Sequence, residues 1–414
     1  MRRALITGFA SLVTAGAAWA QPPAALSNLP TAPLEEVAAP APTAPPMDLG
    51  TATADWSMRG PRIWANAQYS LWWITPMNTP DLIQTVPAAT ALQAVANNTT
   101  LPPGSTVRAF PETRQLEFGA FSGVRGAVGM NFDRFGIEAD FFYLPEVTKS
   151  SALFNNGTPV SIAQTYIRAG TDTPISLLSS LQGSASGGII ADVTSRMWGA
   201  ELNARLPFYN FLTDTTDAVV GVRYIDLQEN LNVLARTDLN NGTSVLVQDS
   251  IATTNRFYGG QVGLNGRING TSRGIGFDTT GKLALGGVRQ EATLSGSNTF
   301  LAPGAPVDTE TGGLYARGAN LGSFSRDKFA MIYEQTFNVT YNFTERTQVY
   351  FGYSIIWISS VMRPGEAIDP YVNDSNVRFV AGAPAGGTQN RPAFSWNAND
   401  LWMQGMNFGF RLQY

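Results

Sequence analysis

Apolar and polar residues alternate along most of the chain from Arg62 onward. In RIWANAQYSLWWI, Ile63, Ala65, Ala67, Tyr69, Leu71 and Trp73 share one face, while Asn66, Gln68 and Ser70 share the other. A period of two marks a strand whose faces meet different surroundings. The signature recurs nine more times. The pattern predicts strands near residues 62–74, 117–130, 135–144, 195–207, 217–229, 255–268, 274–291, 329–343, 348–361 and 400–414. Their connections alternate: long at 75–116, 145–194, 230–254, 292–328 and 362–399, short at 131–134, 208–216, 269–273 and 344–347. A sandwich has no reason to sort its loops, whereas a transmembrane up-and-down antiparallel β-barrel with short periplasmic turns and long extracellular loops does.

One face of each strand is apolar: Val124, Val128 and Met130; Phe135, Ile137, Phe141 and Tyr143; Trp198, Leu202 and Leu206; Phe337, Val339, Tyr341 and Phe343; Val349, Phe351, Tyr353 and Trp357. A soluble β-protein would pack that face inward. The loop sorting, aromatic residues near strand ends and an apparent export signal assign it to lipid instead. No run of 18 apolar residues follows the N-terminus, which removes a helical membrane protein from consideration.

The N-terminal MRRALITGFASLVTAGAAWA has a basic start at Arg2 and Arg3, an apolar middle and small residues at Ala18 and Ala20, the pattern of a signal peptide (1–20) cleaved before Gln21. Residues 21–55 form a Pro/Ala-rich periplasmic lead read as disordered, with the barrel at 56–414. Fully stretched, thirty residues of that lead would reach about 90 Å, so it is either a tether to peptidoglycan or a plain lead-in to the first strand.

Parity along the strands places nine charges inside: Arg125, Glu138, Asp140, Glu201, Arg205, Arg223, Lys282, Glu334 and Arg411. A barrel of about ten strands lies between filled eight-stranded barrels and open porins. Such a balanced interior is therefore either a small pore with charged walls or a salt-bridged plug. One hairpin offers a register test. With a turn at 131–134, Met130 faces Phe135, Val128 faces Ile137 and Val124 faces Phe141. Arg125 then sits directly across from Asp140 and pairs only within that hairpin.

Composition narrows the chemistry. The 414 residues are 44% hydrophobic and 14% charged, with no Cys and no His. That leaves no disulfide, no thiolate site and no imidazole base. Arginine outnumbers lysine 24 to 3, yet the net charge is −4, or −6 once Arg2 and Arg3 are removed, which argues against nucleic acid. No cofactor is implied. An enzyme would have to rely on a carboxylate pair such as Glu138 and Asp140, and two inward acids on one strand are more simply wall residues.

The long connections are rich in Gly, Asn, Ser, Thr and Pro, as in NNGTPVS, LSSLQGSASGG and APAGGTQN, and read as weakly ordered. Within NLNVLARTDLNNGTSVLVQDS, Asn241-Gly242 predicts a hairpin that carries strands five and six beyond the membrane. Displayed loops make a surface-interaction barrel a second functional class, beside a passive channel for small solutes.

The blocks LWW (71–73), FGIEADFF (135–142), SRMWGAELNAR (195–205), GVRYIDLQENL (221–231), TTNRFYGGQVGLNG (253–266), GKLALGGVRQ (281–290), NLGSFSRDKFA (320–330), FGYSIIWISSVMRPGEAID (351–369) and LWMQGMNFGF (401–410) resemble the β-barrel porin-7 family of planctomycete-type outer-membrane proteins, in one order from about Arg62 to Tyr414. The resemblance implies an outer-membrane barrel in contact with lipid and carries no catalytic or ligand residue. Among the matched residues, Arg363-Pro364-Gly365 is expected to bend the chain out of strand nine, with glycine at φ > 0. Asn255, Gly259, Gln261 and Gly263 are expected on the inner face of strand six, the glycines making room for neighbours such as Arg223. The last strand ends on Phe408, Phe410, Leu412 and Tyr414, which resembles the terminal signal read by the barrel assembly machinery.

Overall fold

The computed structural model describes residues 62–97, 101–102, 105–208, 213–268, 274–377 and 390–414. The signal peptide and the Pro/Ala-rich lead lie outside the described residues, as does nearly all of APAGGTQN.

Ten antiparallel strands close a barrel: β1 (Arg62–Ile74), β2 (Ala120–Asn131), β3 (Gly136–Asn155), β4 (Ala185–Phe208), β5 (Thr215–Leu239), β6 (Ser244–Ile268), β7 (Ile275–Leu301), β8 (Gly322–Asn342), β9 (Thr347–Val361) and β10 (Asn399–Gln413). Each pairs with its sequence neighbours, and β10 returns to β1, with Tyr69 opposite Phe408 and Ala67 opposite Phe410. Closure satisfies every edge at membrane depth, where an unpaired peptide group is costly. The lipid-facing residues are exposed as parity requires, among them Val124, Ile137, Leu202, Phe337, Val339, Phe351 and Phe408.

The hairpin register differs from expectation by two residues. Phe132 N donates to Phe135 O at 2.7 Å, and the two rings stack with centroids 4.6 Å apart, so the turn spans 132–135. Met130 therefore faces Ile137, Val128 faces Ala139, Val124 faces Tyr143 and Arg125 faces Phe142, while Asp140 lies opposite Ala127. An offset of two preserves which side chains point inward.

Strands three to eight run far past the predicted ends. Much of what reads as weakly ordered loop, including 145–155, 185–194 and 292–301, is strand that rises beyond the membrane belt. The Asn241-Gly242 hairpin carries β5 and β6 upward as expected, with Gly242 at φ +81° and Asp238 opposite Ser244. The long connections fold over this wall into a cap: a small sheet of Ile83–Pro87, Arg108–Phe110, Val160–Arg168, Thr173–Leu178 and Tyr371–Val372, with one helix, α1 (Ala88–Ala96).

Loop residues also fill the upper barrel. Met77, Leu82, Phe118, Met362 and Ile368 pack with the inward Trp72, Phe121, Phe142, Met197, Ile225, Phe257 and Met403 in one buried core. Each fully buried side chain of this size is worth about 1.5–3 kcal/mol. The turn at 363–365 leaves β9 through Pro364–Ala367, but Gly365 is not at positive φ. Its role is close approach: a Cβ there would lie 2.2 Å from the Asn78 carbonyl oxygen. Gly259 likewise lies opposite Arg223 in register, yet a Cβ on it would meet the Leu285 carbonyl at 2.4 Å and the Phe257 ring at 2.8 Å. The space is needed by the core aromatic and the neighbouring backbone; a Cβ on Gly263 would likewise meet the Gly281 carbonyl oxygen at 2.4 Å, with Lys282 Cγ next at 3.1 Å.

Candidate functional site: the barrel interior

Inward parity brings six charges from six strands into one layer. Arg125 Nε donates to both Asp140 oxygens at 2.9 and 3.0 Å, and its Nη1 donates to Glu334 Oε1 at 2.6 Å. Arg223 bonds both Glu201 and Glu334 through Nη2. Lys282 Nζ reaches Glu201 Oε2 at 2.7 Å, and Arg125 Nη2 lies 3.7 Å from Glu201 Oε1. Three cations thus meet three anions. Arg125 is not confined to strand three, because the narrow barrel puts β4 and β8 within reach of its guanidinium. The Arg223 side chain is 1% exposed and Glu201 3%, so their attraction acts with little solvent screening. Isolated buried charges of this kind would be prohibitive, and mutual pairing with added hydrogen bonds, such as Gln261 Nε2 to Glu201 at 2.8 Å, offsets the desolvation.

A second layer lies toward the periplasmic turns. Arg205 binds Asp217 at 2.8 Å, Glu138 at 3.4 Å and Asn265, while Arg411 Nη1 donates to Asp278 at 3.3 Å and lies 5.5 Å from the Trp64 ring centroid. Arg267 shares Asp278 at 3.2 Å. All nine sequence-predicted charges therefore face inward, in two adjoining layers. Asp217, Arg267 and Asp278 were missed although they share the inward parity of Arg223, Gln261 and Lys282; they sit next to turns, where strand ends are hardest to place.

Cavities of about 90 and 240 Å³ share Trp64, Arg205 and Arg411 at this end. The smaller is lined by Arg125, Asp140, Lys282 and Glu334. Above the charges, Asn407 accepts from Trp72 Nε1 at 2.9 Å and Gln68 Nε2 at 2.9 Å and donates to Ser354 Oγ at 2.7 Å. Then comes the apolar core.

Further out, buried polar contacts fasten the cap. Arg363 grips Glu229 through Nε and Nη2 at 2.8 and 2.5 Å and donates Nη1 to the Thr75 carbonyl at 2.7 Å. Asn255 clamps Met362 by both backbone groups, at 2.8 and 2.9 Å. Asp249 accepts the Leu314, Tyr315 and Ala316 amides at 3.1, 2.9 and 2.7 Å; full burial nonetheless pushes its carboxyl up to about 6. Burial and Asp374, which accepts its hydroxyl at 3.0 Å, hold Tyr166 protonated. Glu229, Asp249 and Arg363 carry no signal of pairing in the sequence, since their partners come from loops whose path it does not reveal.

Among the described residues no group of three or more acidic side chains is arranged to hold a metal ion. Glu138 and Asp140 point to different arginines, Arg205 and Arg125.

A search of curated proteins found no match. Among solved structures, the outer membrane protease OmpT from Escherichia coli aligns over 85% of this chain and 97% of its own, at 10% identity and a TM-score of 0.38. A Pseudomonas aeruginosa FadL homologue aligns over 86% and 90%, at 8% identity and a TM-score of 0.21. The family model described as Putative beta barrel porin-7 matches residues 64–414. With the closed ten-strand barrel and its lipid-facing belt, that match establishes an outer-membrane protein: the chain belongs to the beta barrel porin-7 family.

Proposed function

We propose that this barrel is shut and serves as a membrane base for its extracellular cap, a structural or surface-interaction role. The supporting observation is Arg223, which ties β5 to β4 and β8 by binding Glu201 and Glu334 inside the lumen. A solute would have to separate these charges in a low-dielectric space and then displace the apolar core above them. Recording from planar bilayers tests the reading: the purified, folded chain gives no single-channel steps, and reproducible steps would overturn it.

A porin-like passage for small solutes is the second reading, favoured by the polar cavities at the turn end. It requires both the charge layer and the core to rearrange. We read the chain as non-enzymatic, because the lumen carboxylates Glu138, Asp140, Glu201 and Glu334 are bound to guanidinium or ammonium groups and no histidine is present. The aromatic end of β10, with Phe408 and Phe410 on its outer face, is the proposed contact with the barrel assembly machinery. Attachment of the Pro/Ala-rich lead to peptidoglycan is proposed on its composition alone.

A further inference from the structure

Up to Tyr143, β3 is paired on both sides, with β2 and with β4. Beyond Pro145, β4 alone remains paired alongside among the described residues. Among the described residues no backbone hydrogen bond reaches the other edge between Glu146 and Phe154. A row of vacant N–H and C=O groups about nine residues long therefore faces outward above the membrane belt, and such a row is a template for another strand.

We propose that this edge of β3 receives one extended segment of a separate protein at the cell surface, added as a strand in line above β2. A second copy of this chain does not fit. Its barrel strands continue through the bilayer, and the space beneath the vacant position is filled by this chain's own β2. The occupant is thus a free extended peptide, held by main-chain hydrogen bonds with selectivity from alternate side chains. On the inner side Val147 and Leu153 are partly buried against the core, so an added strand gains apolar cover at matching positions. Between them stands Lys149, which has no carboxylate partner among the described residues; its Nζ lies 3.7 Å from where a Cβ on Gly119 would sit. The occupant therefore carries an acidic residue facing Lys149, with an apolar residue two positions away on the Val147 side and another four positions away on the Leu153 side. Thr148, Ser150, Ala152 and the 58% exposed Phe154 would flank its outward side chains.

The opposite margin of the wall behaves differently. β8 is also unpaired with β9 above Ile332, but Phe394 stacks on Phe324 at 3.9 Å and Arg326 lies 4.4 Å from the Trp396 ring. The chain's own last loop already packs along that side. Pro145 and Lys149 also protect the β3 edge from indiscriminate pairing, which accounts for a selective site rather than an aggregating one.

The proposal deepens the surface-display reading and rests on it for its biological setting. The probes are two capped nine-residue peptides of alternating Val and Thr, one with a central Glu and one with a central Lys. They are added to the full chain folded in detergent, with amide exchange read across residues 144–156. The Glu peptide is expected to slow exchange at alternate amides of Glu146–Phe154 and to bind about tenfold tighter than the Lys peptide, the equivalent of one charge pair. Lys149→Glu inverts that preference, and Ser150→Pro removes binding while unfolding at the same urea concentration. Three results would overturn it: no protection by either peptide, equal affinity for both, or slow exchange of these amides without peptide. Conductance measured on the same preparation tests the closed-barrel reading separately, so either can fail alone.

Discussion

Arg125 on β2 and Glu334 on β8 meet inside the barrel, Nη1 to Oε1 at 2.6 Å, although 209 residues separate them in the chain. Arg125 also holds Asp140, and Glu334 also holds Arg223. The strands are joined around the wall by backbone bonds, and six of them also through the interior by this charge layer.

Removing one member of this network leaves its partners buried and unpaired. Glu334→Gln is expected to lower unfolding stability by about 3–5 kcal/mol, measured by urea titration of the folded protein in detergent. The balanced pair Arg223→Met with Glu334→Leu should cost less than the sum of its singles. Simple additivity would show that the two charges do not act as a unit.

The end of β10 separates two roles by face. Deleting Phe410–Tyr414 removes the pairs of Phe410 with Ala67 and Val349, and of Leu412 with Ala65 and Thr347, so assembly into the outer membrane should fail. Arg411→Ala should leave assembly intact, because Arg411 faces Asp278 and Gln348 inside. Heat-modifiable migration of membrane-extracted protein reads both. A deletion variant that still migrates as a folded barrel would reject the assembly assignment.

Gly365→Ala should loosen the cap without opening the membrane barrel. The new Cβ would lie 2.2 Å from the Asn78 carbonyl and 2.5 Å from Thr79 Cγ2, so backbone must move. Faster proteolysis within 75–119 is expected, with unchanged heat modifiability. Unaltered cleavage would mean that the contact relaxes freely.

Asp249 should make stability depend on acidity. Its folded carboxyl titrates near about 6 against an ordinary 3.8, so the folded state holds the proton more tightly. Its contribution is full below about pH 3.8, falls as pH rises through about 6 and is flat above. The displacement is worth about 3 kcal/mol. Asp249→Asn should remove that slope from urea midpoints measured between pH 4 and 7; an unchanged slope would place the titration elsewhere.

The membrane barrel was legible because lipid and lumen impose opposite demands on successive residues. Val349, Phe351 and Tyr353 can only face outward once Glu334 and Arg223 face inward. Asn241-Gly242 announced the extensions of β5 and β6, whereas those of β3, β4, β7 and β8 were not legible, since Thr148, Ser150 and Ser186 look like loop residues when neither face meets lipid. The same holds for Arg363, whose partner Glu229 is 134 residues away. Parity carried the candidate site except beside the turns, where Asp217, Arg267 and Asp278 escaped.

By itself the sequence determined strand number, the inner and outer faces and the nine charges of the interior, because each follows from a period of two between neighbours. Only the tertiary structure decided that Arg125 binds Glu334, that the loops fill the upper barrel and that one edge of upper β3 has no backbone partner among the described residues. Those outcomes depend on the barrel's curvature and on contacts between residues far apart in the chain, which a local pattern does not encode.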